Sequence, residues 1–234
     1  MTTMCEFNKS IFDGKISKMI ESALDFRKDE YEGSKDYMAG LADHQHPEVL
    51  MIGCSDSRVD PALICGSKPG DIFTIRNVAN LVPPYDTAND LGHGVRAAIE
   101  YGVKALNVSN IVVFGHAHCG GIKAAIDTAA GNAPEFDFIG PWLTIAENAC
   151  RQEVIDPATG ALKSIPIEQL KIYSYLVERQ SVLHSIENLK TYPWIKERVD
   201  AGSLNLHGWW FDLESGDLWV TNPKTGQFLP VEGH

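Results

Sequence analysis

No segment of this sequence is apolar over a length that could cross a membrane. A helix that spans a bilayer needs about 20 consecutive apolar residues. Polar or charged residues interrupt every hydrophobic run of the 234-residue chain well before that length. The opening stretch, MTTMCEFNKSIFDGK, also lacks the charged and then apolar pattern of a secretory signal. We therefore expect a cytoplasmic protein that has no membrane partner.

Positive charge is also scarce. The 20 lysines and arginines are outnumbered by 31 aspartates and glutamates, which gives a formal net charge of -11 and a pI near 5.1. Proteins that bind a phosphate backbone usually present a basic surface. The composition therefore argues against a nucleic-acid partner, and we expect small molecules or proteins as partners instead.

Cysteine is sparse and scattered. The chain has five cysteines, an odd number without the dense spacing of a disulfide framework. Reduced thiols or metal ligands are therefore expected rather than cross-links. Internal repeats, low-complexity tracts and linker-like shifts in composition are absent too, so we predict a single domain over residues 1–234. The cysteines are Cys5, Cys54, Cys65, Cys119 and Cys150.

Apolar runs alternate with helical patterns along the chain. Short runs bounded by turn residues predict buried strands at 48–53, 71–77 and 110–115. Apolar residues at helical spacing predict helices at 9–31, 34–44, 87–106, 119–131, 141–150 and 165–189. The tail, 204–222, predicts two strands around a Ser-Gly turn, and 127–143 is the expected surface loop. This alternation indicates an α/β fold with a mostly parallel central sheet, flanked by helices, and an antiparallel edge strand.

A charged stretch directly follows the first predicted strand. The sequence CSDSRVD begins at Cys54, and FGHAHCGG follows a later strand in the same way. Both stretches lie at the carboxyl edge of a parallel sheet, where open α/β folds bind ligands. Cys54, His116 and Cys119 would meet at this edge. Two cysteines and a histidine with an open fourth position form a known type of catalytic zinc site.

Other chemistries for Cys54 fit the sequence less well. A phosphatase-type thiolate would need an arginine six residues later, whereas Asp60 stands there and the arginine is Arg58. A zinc deaminase would need a His-x-Glu pair with a C-x-x-C motif, and neither is present. The remaining alternative is a buried structural cysteine beside an ion pair of Asp56 and Arg58, and the second motif argues against it.

Four blocks together resemble one enzyme family. CSDSRVD, GDIFTIRNVANLVPPYD, AAIEYGVKALNVSNIVVFGHAHCGGI and HGWWFDLESGDL are similar, in order and spacing, to the β-class carbonic anhydrases, from about His44 to Leu218. The third block most resembles the plant-type branch. The resemblance implies zinc-dependent, reversible hydration of carbon dioxide to bicarbonate and a proton. It also implies a homodimer, tetramer or larger assembly, in which a helical arm (1–43) packs on a partner subunit and 44–234 form the zinc-binding core.

The same resemblance assigns the metal and the catalytic pair. The ligands of one Zn²⁺ per chain would be Cys54, His116 and Cys119. The catalytic residues would be Asp56 and Arg58. Arg58 would hold Asp56 as an anion, and Asp56 would then aim a zinc-bound hydroxide at carbon dioxide.

A pocket for carbon dioxide and bicarbonate is also implied. Phe73 and Tyr101 match the aromatic residues that wall the pocket of the family, and the apolar Val78 suits carbon dioxide as well. Gln45 matches a glutamine that reaches into the active site of the partner subunit. Gln45 and the backbone amide of Gly120, at a helix start, would donate hydrogen bonds to the bicarbonate oxygens.

The sequence leaves alternatives for the activity and for the position of Asp56. The same scaffold could hydrolyse carbon disulfide or carbonyl sulfide, or it could hold a metal for binding or regulation alone. In a related branch the aspartate closes onto zinc, and that branch has a tryptophan where this chain has Met51. We therefore predict an open form near neutral pH, with Asp56 on Arg58. We do not expect His118 to bind the metal.

Overall fold

The structure is a computed structural model that describes residues 14–88, 93–133 and 135–231. The chain divides into two compact units, Met1–Gln45 and His46–His234. Within the described ranges, no helix has both the length and the apolar character needed to cross a bilayer. The predicted boundary between a helical arm (1–43) and a zinc-binding core (44–234) stays a prediction.

The described part of the first unit, from Gly14 onward, is mainly helical. Helix α1 spans Gly14–Phe26 and continues through a π-helical turn and a short 3-10 turn into helix α2, Lys35–Asp43. Apolar residues recur along α1 at helical spacing, which gives the helix an apolar stripe. Neither α1 nor α2 has a buried residue. The apolar stripe of α1 is therefore uncovered in the single chain.

The second unit is built on a six-stranded sheet in the order β2-β1-β3-β6-β7-β8. In this sheet β2, β1, β3 and β6 are parallel to one another, whereas β7 and β8 are each antiparallel to the strand before them in the order. This confirms the predicted fold class. The strands are β1 Val49–Cys54, β2 Ile72–Asn77, β3 Asn110–His116, β4 Glu153–Ile155, β5 Leu162–Ser164, β6 Asn205–Phe211, β7 Leu218–Thr221 and β8 Phe228–Pro230.

Helices flank this sheet and bury its central strands. Nearly every residue of β1 and β3 is buried, as expected for parallel strands covered on both faces. The long helix α8 packs against both β3 and β6. The helices of this unit are α3 Pro61–Cys65, α4 His93–Glu100, α5 Gly120–Ala129, α6 Ile139–Leu143, α7 Ile167–Ile172, α8 Ser174–Lys190 and α9 Pro193–Asp200.

Several element boundaries differ from the sequence predictions. The predicted helix 141–150 is α6 followed by a 3-10 helix. Of the predicted helix 87–106, residues 87–88 form a bend, and α4 continues into a π-helical turn that ends at Ala105. The expected loop 127–143 is shorter, because α5 and α6 extend into it. Residues 9–13 and 89–92 of the predicted helices lie outside the described residues.

Two short helices and a hairpin were not predicted. Both helices, α3 and α9, begin at a proline, which is a favoured first helical residue because its missing N–H needs no partner there. The side chain of Asp60 caps α3 by accepting a hydrogen bond from Leu63 N. The β4–β5 hairpin is exposed along both strands, so no apolar run marks it.

Candidate metal centre

The carboxyl ends of β1 and β3 lie side by side in the sheet. The two strands are parallel neighbours, with Gly53 opposite Phe114. Cys54 at the end of β1 therefore lies near His116 at the end of β3. Cys119 follows in the turn that leads into α5. The structure thus brings together the three residues that the sequence predicts as metal ligands.

The donor atoms of these residues are close enough to share one ion. Cys54 Sγ and Cys119 Sγ are 3.9 Å apart. The two sulfurs and a ring nitrogen of His116 all lie within 4.8 Å of one another, and all three residues are buried. Two thiolates on one tetrahedral zinc ion, with Zn–S bonds of about 2.3 Å, have sulfurs about 3.8 Å apart. The spacing of the sulfurs therefore fits zinc.

The imidazole of His116 is oriented as a metal ligand requires. Its Nδ1 lies 2.8 Å from the carbonyl oxygen of Ala117, to which it donates a hydrogen bond. Its Nε2 is buried and has no hydrogen-bond partner among the described residues. Ligating histidines usually donate their other ring N–H in this way, and a buried polar atom without a partner is costly. Nε2 therefore presents a free lone pair to the ion site.

The two thiols lie so close that they ionise as a pair. The pKa of Cys54 is lowered, chiefly by its hydrogen bond with Cys119. The pKa of Cys119 is raised, first by the same hydrogen bond and then by burial. Loss of both protons would place two negative charges in a buried site, which requires a compensating cation. A divalent ion such as zinc supplies that compensation, so the chemistry of the donor set also fits the metal.

Asp56 and Arg58 form a two-point ion pair next to these ligands. Arg58 Nε donates to Asp56 Oδ1 at 2.9 Å, and Arg58 Nη2 donates to Oδ2 at 2.7 Å. The guanidinium holds the pKa of Asp56 well below its usual range, chiefly through the side-chain hydrogen bond. Asp56 Oδ2 lies 3.9 Å from Nε2 of His116. A permanently ionised carboxylate thus stands beside the ion site, in the arrangement that an open form requires.

Arg76 of β2 fixes the loop that carries this ion pair. Its guanidinium donates to the carbonyl oxygens of Cys54 at 2.9 Å, Asp56 at 2.8 Å and Val59 at 2.7 Å. It also donates to Asp60 Oδ2 at 3.1 Å. No motif in the sequence marks this role of Arg76. Its one signal is the position of an arginine within a largely apolar predicted strand.

A buried acid, Glu178 of α8, lies behind Cys119. Glu178 Oε1 accepts hydrogen bonds from Cys119 N–H at 3.3 Å and from Ser174 Oγ at 3.1 Å, and Oε2 accepts one from Trp210 Nε1 at 3.2 Å. Burial raises the pKa of Glu178, and these hydrogen bonds oppose the rise. Sequence analysis missed Glu178, because a glutamate inside a helix of mixed polarity resembles a surface residue.

The side chain of His118 is engaged outside the ion site. Its Nε2 lies 2.7 Å from Glu214 Oε1, and 55% of the side chain is exposed. The backbone φ of His118 is 54°, in the left-handed region that few residues other than glycine adopt. The side chain of His118 is not among the grouped donor atoms, and its exclusion from the ligands stays a prediction.

Two of the predicted pocket residues lie beside the candidate ligands. Val78 packs in the same apolar cluster as Cys54 and Cys119. Gly120 is the first residue of α5. A Cβ at the next residue, Gly121, would lie 2.8 Å from Val78 Cγ1, which is closer than real Cβ contacts come. Glycine at this position therefore allows the start of α5 to press against Val78.

Of the other predicted pocket residues, Phe73 lies further along the sheet from the ligands. Phe73 and Tyr101 contact each other, with ring centroids 5.8 Å apart. Phe73 is paired with Leu50 on β1, four residues before Cys54, which corresponds to about 13 Å along a strand. Gln45 is the last residue of the first unit.

Comparison with known proteins gives the same family throughout. The family model described as "Carbonic anhydrase" matches residues 49–218. A carbonic anhydrase of Synechococcus elongatus is 39% identical over 203 residues, which cover 87% of this chain and 70% of that protein.

Solved structures agree with this match. The β-carbonic anhydrase CcaA is 32% identical, with a TM-score of 0.76, and the match covers 94% of this chain and 93% of that one. A tetrameric β-carbonic anhydrase of Sordaria macrospora is 28% identical, with a TM-score of 0.70, and the match covers 93% of this chain and 100% of that one.

Proposed function

The chain belongs to the β-class carbonic anhydrases, which are zinc enzymes, and we propose that Asp56 and Arg58 orient the reaction in its reversible hydration of carbon dioxide. One observation carries this proposal. The two-point ion pair of Asp56 and Arg58 stands beside the buried Cys-His-Cys group. A metal that served only to stabilise the fold would need no carboxylate held permanently ionised at its edge.

The zinc ligands in this proposal are Cys54, His116 and Cys119, which leave a fourth position for the reaction, as catalytic zinc sites do. When bound, zinc supplies Lewis acidity, which makes a water molecule acidic enough to become the nucleophile. Two thiolate ligands already offset the charge of the ion, so they weaken this effect compared with neutral histidine ligands. We therefore expect hydration to rise towards alkaline pH.

Asp56 keeps one acceptor position for the reaction. Each carboxylate oxygen can accept two hydrogen bonds. Oδ1 accepts both the backbone N–H and Nε of Arg58, whereas Oδ2 accepts a single hydrogen bond from the part of the chain that the structure describes, from Nη2 of Arg58. Oδ2 is also the oxygen that lies 3.9 Å from Nε2 of His116. Its remaining lone pair can therefore accept the hydrogen of the attacking oxygen and aim that oxygen at carbon dioxide.

Carbon dioxide and bicarbonate need different surroundings, and the described residues offer both. Carbon dioxide is small and apolar, and Val78 packs in the apolar cluster that includes Cys54. Bicarbonate is an anion, and the N–H of Gly120 at the start of α5 is a donor suited to its oxygens. These two residues form the pocket that a single chain supplies in our proposal.

A second copy of the chain completes the pocket in the proposal. Tyr101 is 49% exposed and packs on Phe73, and Gln45 belongs to the helical first unit. Four apolar residues of α1 are also 45–61% exposed, namely Ile16, Met19, Leu24 and Phe26. Exposed apolar surface of this kind marks a protein contact. We therefore propose a homodimer or larger assembly, located in the cytoplasm, in which Gln45, Phe73 and Tyr101 serve the active site of a partner subunit.

Stopped-flow measurement of carbon dioxide hydration, with zinc content determined on the same batch, tests the reaction. We expect rapid hydration with one zinc per chain, and a rate that rises from about pH 6.5 to 9. The depressed pKa of Asp56 keeps this carboxylate ionised over that whole range, so Asp56 adds no inflection to the profile. Full zinc occupancy without hydration at any pH would contradict the proposal, and carbon disulfide and carbonyl sulfide would then be tested.

A further inference from the structure

One peptide bond at the metal centre is held at both of its polar ends. It joins His118 to Cys119, and its carbonyl oxygen accepts a hydrogen bond from Arg58 Nη2 at 3.0 Å. Its N–H donates to Glu178 Oε1 at 3.3 Å. The preceding φ, 54° at His118, is unfavourable for a residue with a Cβ. A turn of this kind persists only when its surroundings hold it in place.

The two groups that hold this peptide carry opposite charge. The arginine lies on the oxygen side and the glutamate on the N–H side, so both polarise the peptide in the same direction. A continuous chain of hydrogen bonds therefore runs from Glu178 through the His118–Cys119 peptide to Arg58 and on to Asp56.

Glu178 is itself tightly placed. It is 3% exposed, and Trp210, which donates to Oε2, is 3% exposed as well. Ser174 Oγ, one turn earlier on α8, donates to Oε1. Among the residues that the structure describes, no basic side chain forms a salt bridge with Glu178. A buried carboxylate is costly unless its acceptors are used, and here the donors include the backbone of a metal ligand.

We infer that Glu178 is a positioning residue, which fixes the Cys119 ligand directly and the Arg58–Asp56 pair through the peptide that they share. Glu178 contacts no reacting atom. The inference rests on the metal site of the proposed function, but it concerns how tightly and in which geometry the metal is held. It can therefore be tested without any measurement of carbon dioxide hydration.

The first test compares Glu178→Gln with Glu187→Gln. Glutamine at position 178 can keep an oxygen towards Cys119 N–H, but its NH₂ group then faces the indole N–H of Trp210, so one donor loses its acceptor. Glu187 lies on the same helix in an exposed ion pair with Lys190, so it controls for the chemical change alone. We expect zinc to pass to a chelator about tenfold faster from the Glu178→Gln variant than from the wild type, and the control to match the wild type.

The second readout is the absorption spectrum of the cobalt-substituted protein. The sulfur-to-cobalt and d–d bands report the ligand geometry, so we expect them to shift in Glu178→Gln and to stay unchanged in Glu187→Gln. Unchanged bands together with an unchanged rate of zinc loss would overturn the inference. Faster zinc loss with unchanged bands would assign Glu178 to the stability of the fold alone, and would overturn it too.

A third variant keeps the test decisive if the fold is weakened. Trp210→Phe removes the indole donor, so glutamine at position 178 can then turn its oxygen to Cys119 without facing a second N–H. We expect Glu178→Gln to accelerate zinc loss clearly less in the Trp210→Phe background than in the wild type. An equal acceleration in both backgrounds would show that the acceptor for Cys119 is not what matters, and would contradict the inference.

Discussion

The loops that follow β1 and β3 both supply metal ligands, but they differ in surroundings. The β1 loop, 54–60, contains three charged side chains, and that of Arg58 is half exposed. The β3 loop, 116–121, presents buried ligands, since His116 and Cys119 are 1% and 2% exposed. Its backbone is held from the interior by Glu178. The difference indicates a division of labour, in which the β3 loop holds two of the three candidate ligands on a backbone fixed from the interior, and the β1 loop adds the charged pair of Asp56 and Arg58 to its one buried ligand, Cys54.

The two loops also depend on different anchors. Arg76 donates to three carbonyl oxygens and one carboxylate of the β1 loop, so a cation holds that loop. The β3 loop is held by the carboxylate of Glu178 on its N–H side, and the side chain of Arg58 reaches across from the β1 loop to its carbonyl side. Arg58 is therefore the side chain whose contacts link the metal-holding loop with Asp56.

The largest effect should come from removing a metal ligand, whichever of the two loops it belongs to. Both loops should be equally sensitive to the loss of a ligand. We expect Cys54→Ala and His116→Ala to lose zinc and, with it, essentially all hydration activity. Catalytic zinc sites have three protein ligands, and either variant would leave only two. Metal analysis and stopped-flow assays measure both losses. Cys65→Ala is the matched control, since Cys65 is exposed on α3. Either ligand variant with full zinc and wild-type activity would contradict the assignment.

The first three strands were predictable from the sequence, and several short elements were not. The predicted strands 48–53, 71–77 and 110–115 agree with β1, β2 and β3 within one residue at each end. The strands β1 and β3 are continuous apolar runs, as buried parallel strands are. The β4–β5 hairpin is exposed throughout, so its sequence has no such run. Its position depends on contacts that no local pattern records.

The candidate site follows the same rule. Cys54, His116 and Cys119 could be proposed together because each closely follows or ends a predictable strand. Arg76 and Glu178 act through contacts between elements distant in the chain, so no local motif marks them. Phe73 was assigned to the pocket by resemblance alone, and the single chain pairs it with Tyr101 and not with the ligands.

An intermediate effect on hydration, without loss of zinc, should come from the charged side chain of the β1 loop. Asp56→Asn leaves the ligands intact, so we expect zinc to stay bound while hydration falls about 10- to 100-fold. The physical reason is that an amide presents an NH₂ group to the guanidinium of Arg58 and loses the permanent charge. Zinc content and stopped-flow rates measure the two quantities on one sample.

The control for this variant lies in the same loop. Asp60→Asn makes the same chemical change, and asparagine is as good a helix cap as aspartate for α3. The asparagine oxygen can stay on Leu63 N, and Arg76 then loses its bond to Asp60 Oδ2 but keeps its three bonds to carbonyl oxygens of the loop, so we expect Asp60→Asn to retain most of the activity. Equal losses in both variants, or an unchanged rate in Asp56→Asn, would show that the role assigned to Asp56 is wrong.

The smallest effect should come from the exposed side chain of the β3 loop, because the division of labour gives it no part in the chemistry. The ring of His118 contacts Glu214 at the surface, and exposed pairs contribute little. Asparagine tolerates the left-handed backbone at this position, whereas alanine does so less well. We expect His118→Asn to keep its zinc and to lose no more than about threefold in hydration, and His118→Ala to unfold at a lower temperature than His118→Asn. If His118→Asn released the metal, the side chain of the β3 loop would matter as much as its backbone, and the proposed division between the loops would fail.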